Sequence, residues 1–169
     1  TSKVSALISG DPTDSYSFTV TTSSDNGQSD SDVAETFIKP VSGTITYGFH
    51  DANYPYRDSV GEHTGIDIAV AQGTRVKAAG DGTVIEVFDG GLTDYASYIA
   101  ISHSSGLITR YVHLSRLDVK VGDQVKQGDI IGYSGGKPGT TGAGLYSNGA
   151  HLHFEVLENG VAVDPEKYL

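Results

Sequence analysis

Tyr98-Ile99-Ala100-Ile101-Ser102-His103-Ser104-Ser105-Gly106-Leu107-Ile108-Thr109-Arg110-Tyr111-Val112-His113-Leu114 is two runs of β-branched and aromatic residues joined by a short polar stretch that ends in glycine. Such side chains fit a pleated, half-buried surface, and glycine supplies the positive φ that tight hairpin connections require. The stretch therefore predicts two antiparallel strands with a turn over residues 103–106. The same texture extends outward. Glycine-bounded segments at residues 44–49, 65–70 and 82–88 also read as strands, and helical periodicity is nearly absent. Gly73-Thr74-Arg75-Val76-Lys77 is echoed by Gly122-Asp123-Gln124-Val125-Lys126, and each copy runs on to a Gly-Asp step. A duplicated β unit is the simplest source of that echo. The predicted fold is all-β, with antiparallel sheets, duplicated units and little helix.

Composition bounds the function. With 169 residues and 37% hydrophobic content, the chain can close one core without staples. A net charge of −10 disfavours a nucleic-acid binder, which needs surplus Lys and Arg on one face. Cysteine is absent, so thiol catalysis and Cys-ligated zinc are excluded, and any metal site must use His, Asp and Glu. No apolar run approaches the roughly 20 residues that cross a bilayer, so no membrane insertion is expected. The start at Thr1, in a chain without Met, reads as a processed piece that has lost a leader or an upstream domain. Residues 1–35 are rich in Ser, Thr and Asp and carry six acids against one base. They read as a solvated arm or linker, with one short alternating face at Tyr16, Phe18 and Val20. The compact domain is expected over residues 36–169, opening near Phe37.

Three motifs carry candidate chemistry. On a strand, side chains alternate with period two, so His151 and His153 in His151-Leu152-His153-Phe154-Glu155 share one face while Leu152 and Phe154 share the other. In His63-Thr64-Gly65-Ile66-Asp67 an imidazole and a carboxylate stand four apart around a glycine that lets the backbone curl, and Asp67 alternates with Ile66 and Ile68. His113, in Tyr111-Val112-His113-Leu114, is expected by alternation to face away from Val112 and Leu114 and out of the core. Taken singly, each also fits a structural reading: exposed strand histidines, an aspartate accepting turn hydrogen bonds, a satisfied strand histidine. Together they offer more than the three His, Asp or Glu ligands of a catalytic zinc site, with imidazoles to spare for proton transfer.

In order and context these motifs resemble the lysostaphin-like zinc metallopeptidases, which are bacterial cell-wall endopeptidases. The resemblance runs from about Phe37 to Leu169 and takes in Pro40-Val41-Ser42-Gly43, Gly65-Ile66-Asp67-Ile68, Ala78-Ala79-Gly80-Asp81-Gly82, Val121-Gly122-Asp123 and Val163-Asp164-Pro165. It implies the barrel-sandwich-like duplicated hybrid motif of that family. It also implies one zinc ion on His63, Asp67 and His153, with His113 and His151 as unligated catalytic histidines. The implied reaction is attack of a zinc-bound water on a peptide bond in a peptidoglycan stem peptide or cross-bridge, with His151 as the base. His113 then orients the water or stabilises the oxyanion, and the sequence is equally consistent with the two roles exchanged. An extracytoplasmic location follows from that substrate.

The chain departs from the family pattern in two places. The common Phe-Gly-x-Arg stands here as Tyr47-Gly48-Phe49-His50, with Arg57 displaced downstream, and a stretch that usually ends in Ser-Thr-Gly is Ser147-Asn148-Gly149. His50 is an extra cleft candidate, and the loops at residues 89–98 and 135–148, with Tyr95, Tyr98 and Tyr146, are candidate groove walls. The alternative reading is a non-catalytic module of the same fold that binds peptidoglycan or activates an amidase; relatives of that kind have lost ligands, whereas all five residues are present here. A sugar-transport phosphocarrier, of similar β architecture, is a third reading, and it has no use for a metal-binding His-x-x-x-Asp. Asp25, Asp30 or Asp32 of the arm is also considered as a latch over the cleft.

Overall fold

A computed structural model describes residues 36–169; the acidic arm, with its strand candidate and its latch candidates Asp25, Asp30 and Asp32, lies outside the described residues. The elements in chain order are β1 (Thr44–Tyr47), α1 (Arg57–Val60), β2 (Ile66–Ala69), β3 (Arg75–Lys77), β4 (Gly82–Phe88), β5 (Tyr98–Ser102), β6 (Leu107–Val112), β7 (Leu114–Leu117), β8 (Gln124–Val125), β9 (Ile130–Ser134), β10 (His151–Glu158) and β11 (Val161–Val163), closed by a 3-10 turn at Pro165–Lys167. The larger sheet runs β1-β2-β10-β6-β5-β4-β8 with β11 alongside β10, and the smaller runs β3-β9-β7. Every strand pair is antiparallel. The all-β expectation holds.

The opening hairpin forms as read. Tyr98 pairs with Val112 and Ser102 with Ile108, and Gly106 turns the chain at φ 85°. The duplicated units are present and they exchange partners. β3, from the first copy, pairs with β9 of the second, while β8, from the second, pairs with β4 of the first. Val76 and Val125, equivalent in the two copies, are both buried. Neither copy can cover its apolar face alone, so the exchange gives them one shared core.

That core is filled by Ile66 and Ile68 of β2, Leu152 and Phe154 of β10, Ile99 and Ile101 of β5, and Tyr111 of β6. Each such side chain contributes about 1.5–3 kcal/mol on burial. The Tyr111 hydroxyl is fully satisfied there. It accepts from Ala79 N at 2.8 Å and donates to Thr109 Oγ1 at 2.9 Å, and that hydroxyl in turn donates to His103 Nε2 at 2.8 Å. His103 Nδ1 donates to Asp81 O at 2.8 Å, and its ring packs 4.7 Å from Phe37. His103 is thus a structural histidine. Phe37 is itself buried, with its amide bonded to Tyr168 O.

Candidate metal centre

Three adjacent strands of the larger sheet set the site. Across the β2–β10 pairing His153 stands opposite Asp67, and across the β10–β6 pairing it stands opposite Val112, one residue before His113. Period-two alternation then separates the faces. Ile66, Ile68, Leu152 and Phe154 point into the core, and Asp67, His151 and His153 point to the other side. His63 arrives from the segment before β2 and is 1% exposed. The glycine between it and Asp67 serves close approach rather than a curl. A Cβ on Gly65 would stand 2.3 Å from Phe154 O, so only glycine lets this strand lie so near β10.

His113 reaches the site by a different route from the one expected. In β6, Thr109 and Tyr111 face the core while Arg110 and Val112 face the groove. Strict alternation would therefore send His113 inward. At φ 63° its backbone breaks the pattern between β6 and β7, so that His113 stays on the groove side and Leu114 turns into the core.

His63, Asp67 and His153 each bring one ligand atom to a common point. His153 Nδ1 lies 2.8 Å from Asp67 Oδ1, His63 Nε2 lies 3.1 Å from the same oxygen, and the two nitrogens are 3.0 Å apart. Proton placement follows from their other contacts. His63 Nδ1 stands 2.7 Å from Gly48 O, and His153 Nε2 stands 3.3 Å from Glu155 Oε1. Both partners can only accept, so in the neutral rings the protons sit on those outward nitrogens. Two lone pairs and a carboxylate oxygen then face one another with no hydrogen between them. Such a set is repulsive until a positive charge enters it, and a cation with nitrogen and oxygen ligands fits that requirement.

The charges respond accordingly. Burial alone would raise the Asp67 carboxyl, but the facing His153 and His63 rings outweigh it and hold the group below the ordinary carboxylate range. Burial would lower His153, but Asp67 and Glu155 push it up to about 9. A proton on Nδ1 is thus the substitute for a metal. His113 goes the other way, pushed down to about 3 by burial and by its neighbours His151 and His153. His113 Nδ1 donates to Ala143 O and His151 Nδ1 donates to Gly149 O, each at 2.8 Å, which leaves both Nε2 atoms unprotonated in the neutral rings. These two rings lie 4.6 Å apart, and His151 Nε2 is 3.7 Å from Asp67 Oδ1.

The groove beside the centre has a volume of about 410 Å³ and is lined by His63, His113 and His153 together with Tyr54, Tyr98, Arg110, Tyr146 and Glu155. A larger cavity of about 560 Å³ lies at Asp81, His103 and Lys126 and contains none of the five expected site residues. The two expected wall loops meet at the groove edge, where Ala96 bridges to Ala143 and Gly142 N donates to Gly91 O. Tyr98 and Tyr146 line the groove. His50 does not. It is exposed, stacked on Phe49 and paired with Glu62 at 3.3 Å, and Arg57 pairs with the same carboxylate.

Four residues were missed in the sequence. Tyr54 stacks on His63 with ring centroids 4.3 Å apart, and burial, with Asp67 and Tyr56 nearby, pushes its phenol up to about 12. Glu155 is buried beside His153, and it holds Thr64 and Arg110. The signal for Glu155 is the same alternation that pairs His151 with His153; nothing local marks Tyr54.

A model described as Peptidase family M23 matches residues 61–165 of this chain. Over 129 residues the chain is 38% identical to a glycyl-glycine endopeptidase, ALE-1, of Staphylococcus capitis, covering 72% of this chain and 33% of that protein. Over 116 residues it is 39% identical to the peptidoglycan DD-endopeptidase ShyC of Vibrio cholerae, covering 66% and 24%. Among solved structures, the catalytic domain of lysostaphin from Staphylococcus simulans superposes with a TM-score of 0.60 at 36% identity, over 75% of this chain and 91% of that one. A zinc-containing peptidase from Vibrio cholerae gives 0.64 at 38% identity, over 77% and 39%. The chain spans about a quarter to a third of the length of these curated relatives.

Proposed function

The chain belongs to peptidase family M23, and on that premise we propose that it is a zinc-dependent endopeptidase that hydrolyses peptide cross-links of bacterial peptidoglycan. The observation that carries the reading is the convergence of His63 Nε2, Asp67 Oδ1 and His153 Nδ1, two lone pairs and a carboxylate with room for one cation, at the edge of an open groove. Zinc held by these three residues supplies Lewis-acid polarisation of a carbonyl and acidifies water.

The remaining residues have separable tasks. His151 presents an unprotonated Nε2 3.7 Å from Asp67 Oδ1, so it takes the proton from the attacking water and passes it to the leaving amine. His113 is held neutral and offers an acceptor at Nε2, which suits it to orienting the water. It becomes an oxyanion donor only after gaining a proton that its burial resists. Tyr54 keeps its phenol proton at any working pH and is the neutral donor of the groove. Residues 36–169 form the peptidase unit and residues 1–35 an arm. Since the substrate lies outside the cytoplasm, the site of action is the cell envelope; among the described residues no helix is long and apolar enough to cross a membrane.

Dye release from purified, dye-labelled sacculi tests the reading. Release that depends on zinc and stops with a chelator is expected. Binding to sacculi without release would favour the non-catalytic alternative, against which the presence of all five residues weighs.

A further inference from the structure

One buried charge near the centre is not used by the reaction above. Glu155 is 7% exposed, and its two oxygens are fully engaged. Oε1 accepts from the Thr64 hydroxyl and lies 3.3 Å from His153 Nε2, while Oε2 accepts from Arg110 Nη1 at 3.2 Å. The strands place these partners. Glu155 stands directly opposite Arg110 in the β10–β6 pairing and shares a face with His153 two residues earlier. Thr64 is brought in by the close approach at Gly65, where a Cβ would come within 3.0 Å of Glu155 Cγ. Arg110 lies 5.5 Å from the Tyr98 ring centroid, and its Nε is buried without a hydrogen-bond partner. Its position is therefore set by the Glu155 pair and the ring rather than by a full set of bonds of its own.

From this geometry, and resting on the zinc reading above, we infer that Glu155, clamped by Arg110 and Thr64, is the positioning residue that fixes His153 for metal binding through Nδ1. A neutral imidazole has one N–H. A carboxylate only accepts, so Glu155 keeps that hydrogen on Nε2 and leaves the Nδ1 lone pair facing Asp67 and His63. The other three histidines of the site use backbone carbonyls for the same purpose, at Gly48, Ala143 and Gly149. His153 alone uses an anion, which both orients the ring and strengthens it as a donor. An unpaired buried carboxylate would be costly, and Arg110 offsets that cost.

The test is zinc affinity of the full chain, read by competition with a chromophoric chelator, for the wild type, Glu155→Ala, Glu155→Gln and Arg110→Met. Long-range proton–nitrogen NMR of the zinc-loaded proteins reports which nitrogen of His153 carries hydrogen. Glu155→Ala should weaken zinc binding by about 10- to 100-fold and lose the single Nε2–H form. Glu155→Gln still offers an acceptor oxygen and should recover part of that loss. Arg110→Met leaves Glu155 in place but unclamped and should fall between; it and Glu155→Gln carry the test if Glu155→Ala does not fold. Variants that match a zinc-binding wild type within about twofold, with His153 still protonated only at Nε2, overturn the inference alone. A wild type that binds no zinc overturns the inference and the metal reading together.

Discussion

His63 Nε2 stands 3.0 Å from His153 Nδ1, although 90 residues separate the two in the chain. Neither atom has a hydrogen to offer when the rings are neutral, and both face Asp67 Oδ1. The contact is therefore stable only with a cation or an extra proton in it, and most of the testable behaviour of this protein follows from that alternative.

Loss of any one of the three groups should cost most of the zinc affinity. If an apparent binding free energy of about 10–16 kcal/mol is shared among the three ligands, His63→Ala, Asp67→Ala and His153→Ala each weaken zinc binding by roughly 10²- to 10⁴-fold. Competition with a chromophoric chelator measures this directly. Retention of full affinity by any of the three would remove that residue from the set.

Zinc binding should release a proton near neutral pH. With His153 raised to about 9, the metal-free protein carries its proton at about pH 7.5, and the metal must displace it. Apparent zinc affinity should then rise by about tenfold per pH unit below that value. Calorimetry in two buffers of different protonation enthalpy counts the proton, and a count near zero contradicts the account. The sign for stability is opposite. A raised imidazole pKa contributes fully below the ordinary value of 6.5 and loses its contribution as pH rises through about 9, so the metal-free chain weakens over that window.

Removing an unligated histidine should leave the metal in place. His151→Ala and His113→Ala are expected to keep zinc stoichiometry while kcat falls by about 10²–10⁴, with the larger loss at His151. Tyr54→Phe, which removes only a hydroxyl, should lower kcat by about 10²–10³. Steady-state kinetics on a soluble cross-linked peptide, beside a metal assay of each variant, separates loss of chemistry from loss of zinc.

Gly65→Ala should be felt in both fold and site. The added Cβ meets a backbone oxygen that cannot give way cheaply, so β2 must move from β10, at about 1–3 kcal/mol of stability. Urea unfolding in the presence of chelator reads this without the metal. An unchanged midpoint would show that the strands are less closely held than their distance implies.

How far such a site is legible in sequence depends on which relationships are local. The faces of His151, His153 and Asp67 follow from alternation within single strands, and the hairpin over residues 98–114 announces itself by its turn. The pairing that sets His153 opposite Asp67 is long-range, and in this sequence the family resemblance, rather than any periodicity, pointed to it. His113 shows the limit of alternation. Its left-handed backbone lies at a junction between two strands that neighbour different sheets, and no residue pattern marks that break. Tyr54 comes from the irregular loop before α1 and stacks on His63 only because the chain there folds back, with His50 N bonded to His63 O. Arg110 and Glu155 look like ordinary strand charges until the β6–β10 register makes them neighbours.

The most direct measurement is mass spectrometry of purified cross-linked peptidoglycan fragments, some with direct and some with glycine-bridged cross-links, incubated with the zinc-loaded protein. A chelated sample and His151→Ala run alongside. The account predicts new peptide ends, each gaining the elements of one water at a single bond type, that vanish in both controls. Intact cross-links of both types after incubation with protein that demonstrably holds zinc would contradict it.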